Sequence, residues 1–108
     1  MVYVFVIKLE NNKYFVGKTV ITNFKLNQLD SLYKPPVSRP DWYVIHKPIE
    51  IIEMIPNCTE QDVDKYTYKY MKKYGISNVR GGSYPSSYID KETRAYIEKF
   101  IAKKFLSL

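Results

Sequence analysis

The chain begins with two short stretches in which apolar and aromatic residues dominate, separated by a polar turn. Val, Ile, Tyr and Phe make up most of residues 2–9 and 13–18, and Glu10, Asn11 and Asn12 lie between them. β-branched and aromatic residues favour strands, and Asn favours the turns that join them. The pattern therefore predicts a β-hairpin.

Helical spacing replaces the strand pattern after the hairpin. Thr22 or Asn23 can cap a helix that ends at Pro35. The apolar positions of this helix are Leu26, Leu29 and Tyr33. The proline-rich residues 34–41 cannot form a central strand and predict a loop.

The second half of the chain predicts one more strand and two more helices. An Ile-rich run between two prolines, residues 49–55, reads as a third strand. Thr59 can cap a helix over residues 60–74 that ends at Gly75, and Asp90 can cap a last helix. Together these elements predict one α+β domain, with a small three-stranded antiparallel sheet flanked by helices.

Charge points to an anionic partner. Seventeen Lys and Arg against eleven Asp and Glu give a formal net charge of +6, and the chain has 108 residues. The second predicted helix carries a stripe of Lys65, Lys69, Lys72 and Lys73. A basic surface on so small a protein attracts nucleic acid, while an anionic membrane and a plain solvated surface are the alternatives.

Cysteine usage and hydropathy predict the compartment. A single cysteine, Cys58, cannot form an internal disulfide, and no apolar run approaches the ~20 residues that span a bilayer. We expect a soluble intracellular protein without a membrane partner.

Few other residues suggest a site. His46 is the only histidine, which excludes a His/Cys zinc cluster and favours a partly buried, hydrogen-bonded ring. We expect Trp42 to be a packing anchor. In "NVRGGSY", Gly81 and Gly82 predict a tight turn that returns Asn78 and Arg80 to the sheet, with Arg80 placed to contact phosphate.

The order and content of these segments resemble the GIY-YIG nuclease superfamily. "YVF" at residues 3–5 and "FVG" at 15–17 fall where that family has its two strand motifs. "DWYVIHKPIEIIEMI" resembles its segment leading into the third strand, and "YTYKYMKKYGISNVRGGSY" at 66–84 is similar to the short GIY-YIG-like proteins of large DNA viruses. The resemblance covers residues 2–84.

This resemblance implies a division of the chain. Residues 1–84 form the GIY-YIG-like domain, and residues 85–108 form a C-terminal helical extension. The apolar stripe of the extension comprises Tyr96, Ile97, Phe100, Ile101 and Phe105. It either completes the core of the same domain or docks on a second copy in a homodimer, and both alternatives stay open.

The resemblance also assigns roles to single positions. The family uses two tyrosines, an arginine, a metal-binding glutamate and an asparagine, which fall here on Phe5, Phe15, Lys25, Asp64 and Asn78. Phenylalanine has no proton to exchange, and lysine lacks the fork of arginine. Asp64, or Glu60 as the fallback, would hold Mg²⁺ only in an active site; otherwise we expect no cofactor.

We therefore expect a catalytically degenerate member that binds DNA mostly without sequence preference. The resemblance suggests a virion-packaged or genome-associated viral protein, in the virion or the infected-cell cytoplasm. The predicted phosphate contacts are Lys18, Lys25, Arg39, Lys65, Lys69, Lys72 and Arg80. The alternatives are an active metal-dependent endonuclease, with Tyr3, Tyr14 or another tyrosine supplying the hydroxyl, and a virion-structural or interaction protein.

Overall fold

The computed structural model describes residues 1–104 and begins with the predicted hairpin. Strand β1 (Val2–Leu9) pairs antiparallel with β2 (Lys13–Thr19), which places Phe5 opposite Gly17. The turn between them contains Asn11 and Asn12, whose φ angles of 63° and 57° lie in the left-handed region that Asn tolerates. The prediction of a hairpin is confirmed.

Within residues 1–104 the sheet has four strands and is mixed. β3 (Pro48–Cys58) pairs antiparallel with β1, and β4 (Val79–Gly81) pairs parallel with β2, which gives the order β3-β1-β2-β4. The general α+β class is as predicted, but a purely antiparallel sheet of three strands is wrong. Three residues are too few to show strand periodicity, and β4 is fixed by a partner that lies far away in the chain.

In the described part of the chain, three α-helices and a long 3₁₀ helix accompany the sheet. They are α1 (Asp41–Ile45), α2 (Asp62–Tyr74), α3 (Lys91–Lys104) and the 3₁₀ helix Leu26–Leu32. The predicted first helix is therefore a shorter 3₁₀ segment, and α1 was not predicted. Gly75, with φ at 99°, ends α2 as predicted, and Asp90 Oδ1 caps α3 by accepting the Thr93 N–H at 2.7 Å.

The sheet separates two hydrophobic clusters, because successive strand residues point to opposite faces. On β1, Val4 and Val6 face the cluster that contains α2 and α3, whereas Phe5 and Ile7 face the cluster that contains the 3₁₀ helix and α1. All four side chains are fully buried. The chain thus covers both faces of its central strands.

Helix α3 packs on the same domain. Ile97 and Ile101 are buried in the cluster with Met71 of α2, and the ring of Phe100 lies 4.3 Å from that of Tyr68. Phe105, which also belongs to the predicted apolar stripe, lies outside the described residues. A homodimer through this helix stays a prediction. Within residues 1–104, no helix has both the length and the apolar character needed to cross a membrane.

Candidate functional site

Phe5, the first of the two motif positions, is a core residue. It is fully buried, and its ring stacks on Phe24 with 4.8 Å between centroids. A β-carbon at Gly17 would lie 2.4 Å from Phe5 Cζ, so the ring occupies the space that any other residue at position 17 would fill. Phe5 therefore packs inside the domain.

Phe15, the second motif position, faces the same cluster but lies at its border. It is 2% exposed, and the centroid of its ring lies 6.3 Å from that of Phe5 and 5.4 Å from that of Tyr43. Tyr14 lies in the cluster on the opposite face of the sheet and stacks on Tyr74 at 4.1 Å, as the alternation of strand side chains predicts. Tyr14 is consequently not placed to replace Phe15.

A cleft opens beside Phe15. This hairpin cleft has a volume of about 270 Å³ and is bordered by Phe15, Gly17, Lys18, Tyr33, Val63 and Gly82. Burial raises the pKa of Tyr33 to about 12, so its phenol keeps its proton at neutral pH. Among residues 1–104 its hydroxyl has no hydrogen-bond partner, yet it is not sealed from solvent.

The carboxylate of Asp64 is hydrogen-bonded to the turn after β4. Its two carboxylate oxygens accept the Ser83 N–H at 2.6 Å and the Ser83 hydroxyl at 2.5 Å. A β-carbon at Gly82, where φ is 54°, would lie 2.0 Å from Asp64 Oδ1, so the turn requires glycine there. Asp64 thus fastens α2 to the predicted tight turn.

These residues do not fit a magnesium site. Both Asp64 oxygens already accept hydrogen bonds, and the fallback residue Glu60 forms an ion pair with Lys18 at 2.7 Å. Across residues 1–104, no three His, Cys, Asp or Glu side chains come together as metal ligands. Mg²⁺ is held by several oxygens in near-octahedral geometry, which one engaged carboxylate does not supply.

Asn78 lies apart from this carboxylate. Asn78 follows the C-terminal end of α2, where its amide donates to the Tyr74 carbonyl and accepts from Lys13 Nζ, both at 2.7 Å. Asp64 lies in the first turn of the same helix. Lys25 is exposed and precedes the 3₁₀ helix. The structure therefore brings Phe5 and Phe15 together but does not gather the five motif positions at one point.

Arg80 is buried, and its side chain is hydrogen-bonded to the backbone of the domain. Its guanidinium donates to the backbone carbonyls of Ile76, Val79, Ser86 and Ser87, and the residue is 5% exposed. The guanidinium carbon Cζ lies 4.6 Å from the ring centroid of Trp42, which is buried as predicted. With four of its five N–H donors used, Arg80 has little capacity left to bind a phosphate.

The other predicted contacts differ in their freedom. Lys18 pairs with Glu60, and Arg39 pairs with Asp30 at 3.2 Å. In contrast, no carboxylate in residues 1–104 pairs with any lysine of the α2 stripe, which we define as Lys65, Lys69, Lys72 and Lys73. The stripe lies opposite the buried side of α2, where Val63, Thr67 and Met71 meet the core.

Aromatic rings accompany the α2 stripe. The ammonium groups of Lys65 and Lys69 lie 5.7 and 5.6 Å from the centroid of Tyr66, and that of Lys73 lies 5.2 Å from Tyr74. Such contacts orient the lysine side chains without removing their charge. The result is a row of cations along one face of α2.

Sequence reasoning missed Tyr33 and Ser83. Tyr33 was assigned to the apolar side of a helix, whereas the 3₁₀ geometry brings it to the cleft. No periodicity marks Ser83, although its place directly after two glycines is a signal of a turn in which a serine can bond to a nearby carboxylate. The predicted partly buried, hydrogen-bonded His46 is confirmed: its Nδ1 lies 3.3 Å from the Asn11 amide.

Comparison with protein-family models, with curated proteins and with solved structures yields no match for this chain. The resemblance to the GIY-YIG superfamily therefore stays a prediction based on the motifs quoted above.

Proposed function

We propose that this protein binds DNA through phosphate contacts, mostly without sequence preference, and that it does so on a catalytically degenerate GIY-YIG-like fold. The observation that carries the proposal is the α2 stripe, in which none of the lysines is paired with a carboxylate of residues 1–104. Cations without a carboxylate partner release condensed counterions from DNA when they bind its phosphates.

The lysines are also well placed for such binding. Lys65 and Lys72 are seven positions apart on one helix, or about 10 Å at the helical rise, and both are exposed. Contacts spread along a helix face can follow a phosphate backbone, and they carry no information about base sequence. Lys18 and Lys25 are exposed residues that can extend the set.

Support for catalytic degeneracy comes from the motif positions. Phe5 and Phe15 present no hydroxyl, and Asp64 is engaged by Ser83. Asn78 lies at the opposite end of α2 from Asp64. General acid–base chemistry on a phosphodiester needs those groups within reach of one substrate atom, so we favour binding over the alternative of an active endonuclease.

The resemblance to short GIY-YIG-like proteins of large DNA viruses suggests where such DNA binding would be used. A small basic protein that coats phosphates without sequence preference suits a virion-packaged or genome-associated component. The proposed partner is therefore double-stranded DNA, with no cofactor.

Binding and cleavage are tested on the same protein. Anisotropy of a labelled duplex should give an affinity that falls steeply between about 50 and 200 mM salt. Supercoiled plasmid incubated with Mg²⁺ or Mn²⁺ should stay intact. Absence of duplex binding at low salt would remove the proposal, and metal-dependent nicking that Asp64→Ala abolishes would favour the endonuclease.

A further inference from the structure

The hairpin cleft lies next to the N-terminal end of α2, the helix that carries the α2 stripe. Lys18 borders the cleft and pairs with Glu60, two residues before α2, while Val63 in the first turn of α2 forms part of the cleft wall. Lys65, the first lysine of the α2 stripe, follows within the same turn. Lys18 therefore lies beside both the cleft mouth and the N-terminal end of α2.

The cleft walls suit a flat apolar group. They include the aromatic residues Phe15 and Tyr33 and the proline rings of Pro40 and Pro85. A volume of about 270 Å³ lies near the lower limit of small-molecule sites. Stacking on aromatic side chains is the sequence-tolerant way in which proteins hold unpaired bases.

Polar groups at the cleft are few. Lys18 supplies a cation, Ser38 a hydroxyl, and Tyr33 a phenol without a protein partner in residues 1–104. A ligand that places a flat ring between the walls, an anion at Lys18 and a hydrogen-bonding edge at Tyr33 would use the apolar walls, the cation and the phenol together. A nucleotide has this combination.

We infer that the hairpin cleft receives an unpaired base of a DNA strand, with the adjoining phosphate at Lys18. This inference rests on the proposed DNA binding and gives it a preferred substrate, a duplex in which one base is free to leave the stack. The phosphate would displace Glu60 from Lys18, so Glu60 acts as a competing anion at the mouth.

The experiment compares three labelled duplexes of equal length with the full chain. One is fully paired, one carries a single unpaired adenine, and one carries an abasic residue in place of that adenine. We expect the unpaired adenine to improve affinity by about tenfold over both other duplexes, the effect of one stacked base. Ser38→Leu at the exposed cleft border should remove this preference, whereas Thr22→Leu, at another exposed position, should keep it.

The outcomes separate the inference from the proposal on which it rests. Equal affinity for all three duplexes overturns the cleft inference and leaves general DNA binding standing. Equal gains from the adenine and the abasic residue overturn it too, since the protein would then recognise a flexible backbone. No binding to any duplex at low salt overturns both. Glu60→Gln should strengthen binding of the adenine duplex more than that of the paired duplex, and an equal effect on both contradicts phosphate binding at Lys18.

Discussion

The ring of Phe5 takes the place of a side chain at Gly17, its partner across the hairpin. Because Phe5 is fully buried and stacked on Phe24, the ring has no room to retreat from a β-carbon that would lie 2.4 Å from Cζ. We expect Gly17→Ala to lower the free energy of unfolding by about 2–3 kcal/mol, as overpacking does. Urea denaturation measures this loss.

A double-mutant cycle shows whether the ring is responsible. In a Phe5→Leu background the aromatic Cζ is gone, so the additional cost of Gly17→Ala should fall by more than half. The same cost in both backgrounds would mean that backbone conformation, not the ring, requires glycine at position 17.

Restoring the two motif hydroxyls should not restore cleavage. Phe5→Tyr buries a hydroxyl in an apolar cluster and should cost about 1–3 kcal/mol, whereas Phe15→Tyr borders the cleft and should cost less. Neither variant, nor the pair, should nick supercoiled plasmid with Mg²⁺, because Asp64 stays bonded to Ser83. Metal-dependent nicking by the double variant would contradict this expectation.

Removing three of the four lysines of the α2 stripe should weaken DNA binding and flatten its dependence on salt. We expect the triple variant Lys65→Ala, Lys69→Ala, Lys72→Ala to reduce the slope of log affinity against log salt by roughly one for each DNA phosphate that is no longer neutralised. Anisotropy titrations at several salt concentrations measure the slope.

A control on α3 matches the change in charge. Lys91→Ala, Lys99→Ala, Lys103→Ala removes the same number of cations from exposed positions of another helix. Its effect on the slope should be clearly smaller. If both triple variants behave alike, net charge alone governs binding and the α2 stripe has no special part.

Arg80 should matter for stability and not for DNA affinity. Arg80→Lys keeps the charge but forfeits most of the four hydrogen bonds to backbone carbonyls, so we expect stability to fall by about 2–4 kcal/mol. At a temperature where the variant is folded, its affinity for duplex DNA should equal that of the wild type. A folded variant with a reduced salt slope would identify Arg80 as a phosphate contact after all.

Acid should loosen the segment that leads into α3. Hydrogen bonds from the Ser87 hydroxyl and N–H, at 2.5 and 2.8 Å, hold the pKa of Asp41 below its ordinary value. A carboxylate with a lowered folded pKa stabilises the fold above its unfolded pKa of about 3.9, and this contribution disappears as pH falls through the folded value.

Two variants test this linkage. Asp41→Asn and Ser87→Ala should each lower stability at neutral pH and reduce the loss of stability below about pH 4. Glu50→Gln, at an exposed position of β3, is the control. Urea unfolding at a series of pH values decides, and an acid slope that is unchanged in both variants would dissociate the Asp41–Ser87 contact from acid stability.

The accuracy of the sequence prediction follows from how local each signal is. The hairpin and α2 depend on patterns within a few residues, such as the Asn turn and the glycine that ends the helix, and both were predicted. β4 and α1 depend on partners elsewhere. Tyr14 illustrates this, since its carbonyl accepts the Trp42 indole N–H at 2.9 Å and its strand pairs with β4. No local pattern encodes such contacts.

The candidate site shows the same limit. Two phenylalanines at motif positions could be recognised from sequence, because residue type alone removes the hydroxyl. The engagement of Asp64 by Ser83 could not, since it depends on the turn after β4 meeting α2. The burial of Arg80 could not either, since it depends on backbone carbonyls and on the Trp42 ring. Residue identity predicted what the site lacks, and tertiary contacts decided which charges remain free.

Strand β4 also has a consequence during synthesis of the protein. Residues 14–16 of β2 are made long before Val79–Gly81, the strand with which they pair. Until then their backbone N–H and C=O groups form an open edge, which invites pairing with strands of neighbouring chains. β4 therefore covers this edge in the folded protein, and a nascent chain released before residue 79 would lack that cover.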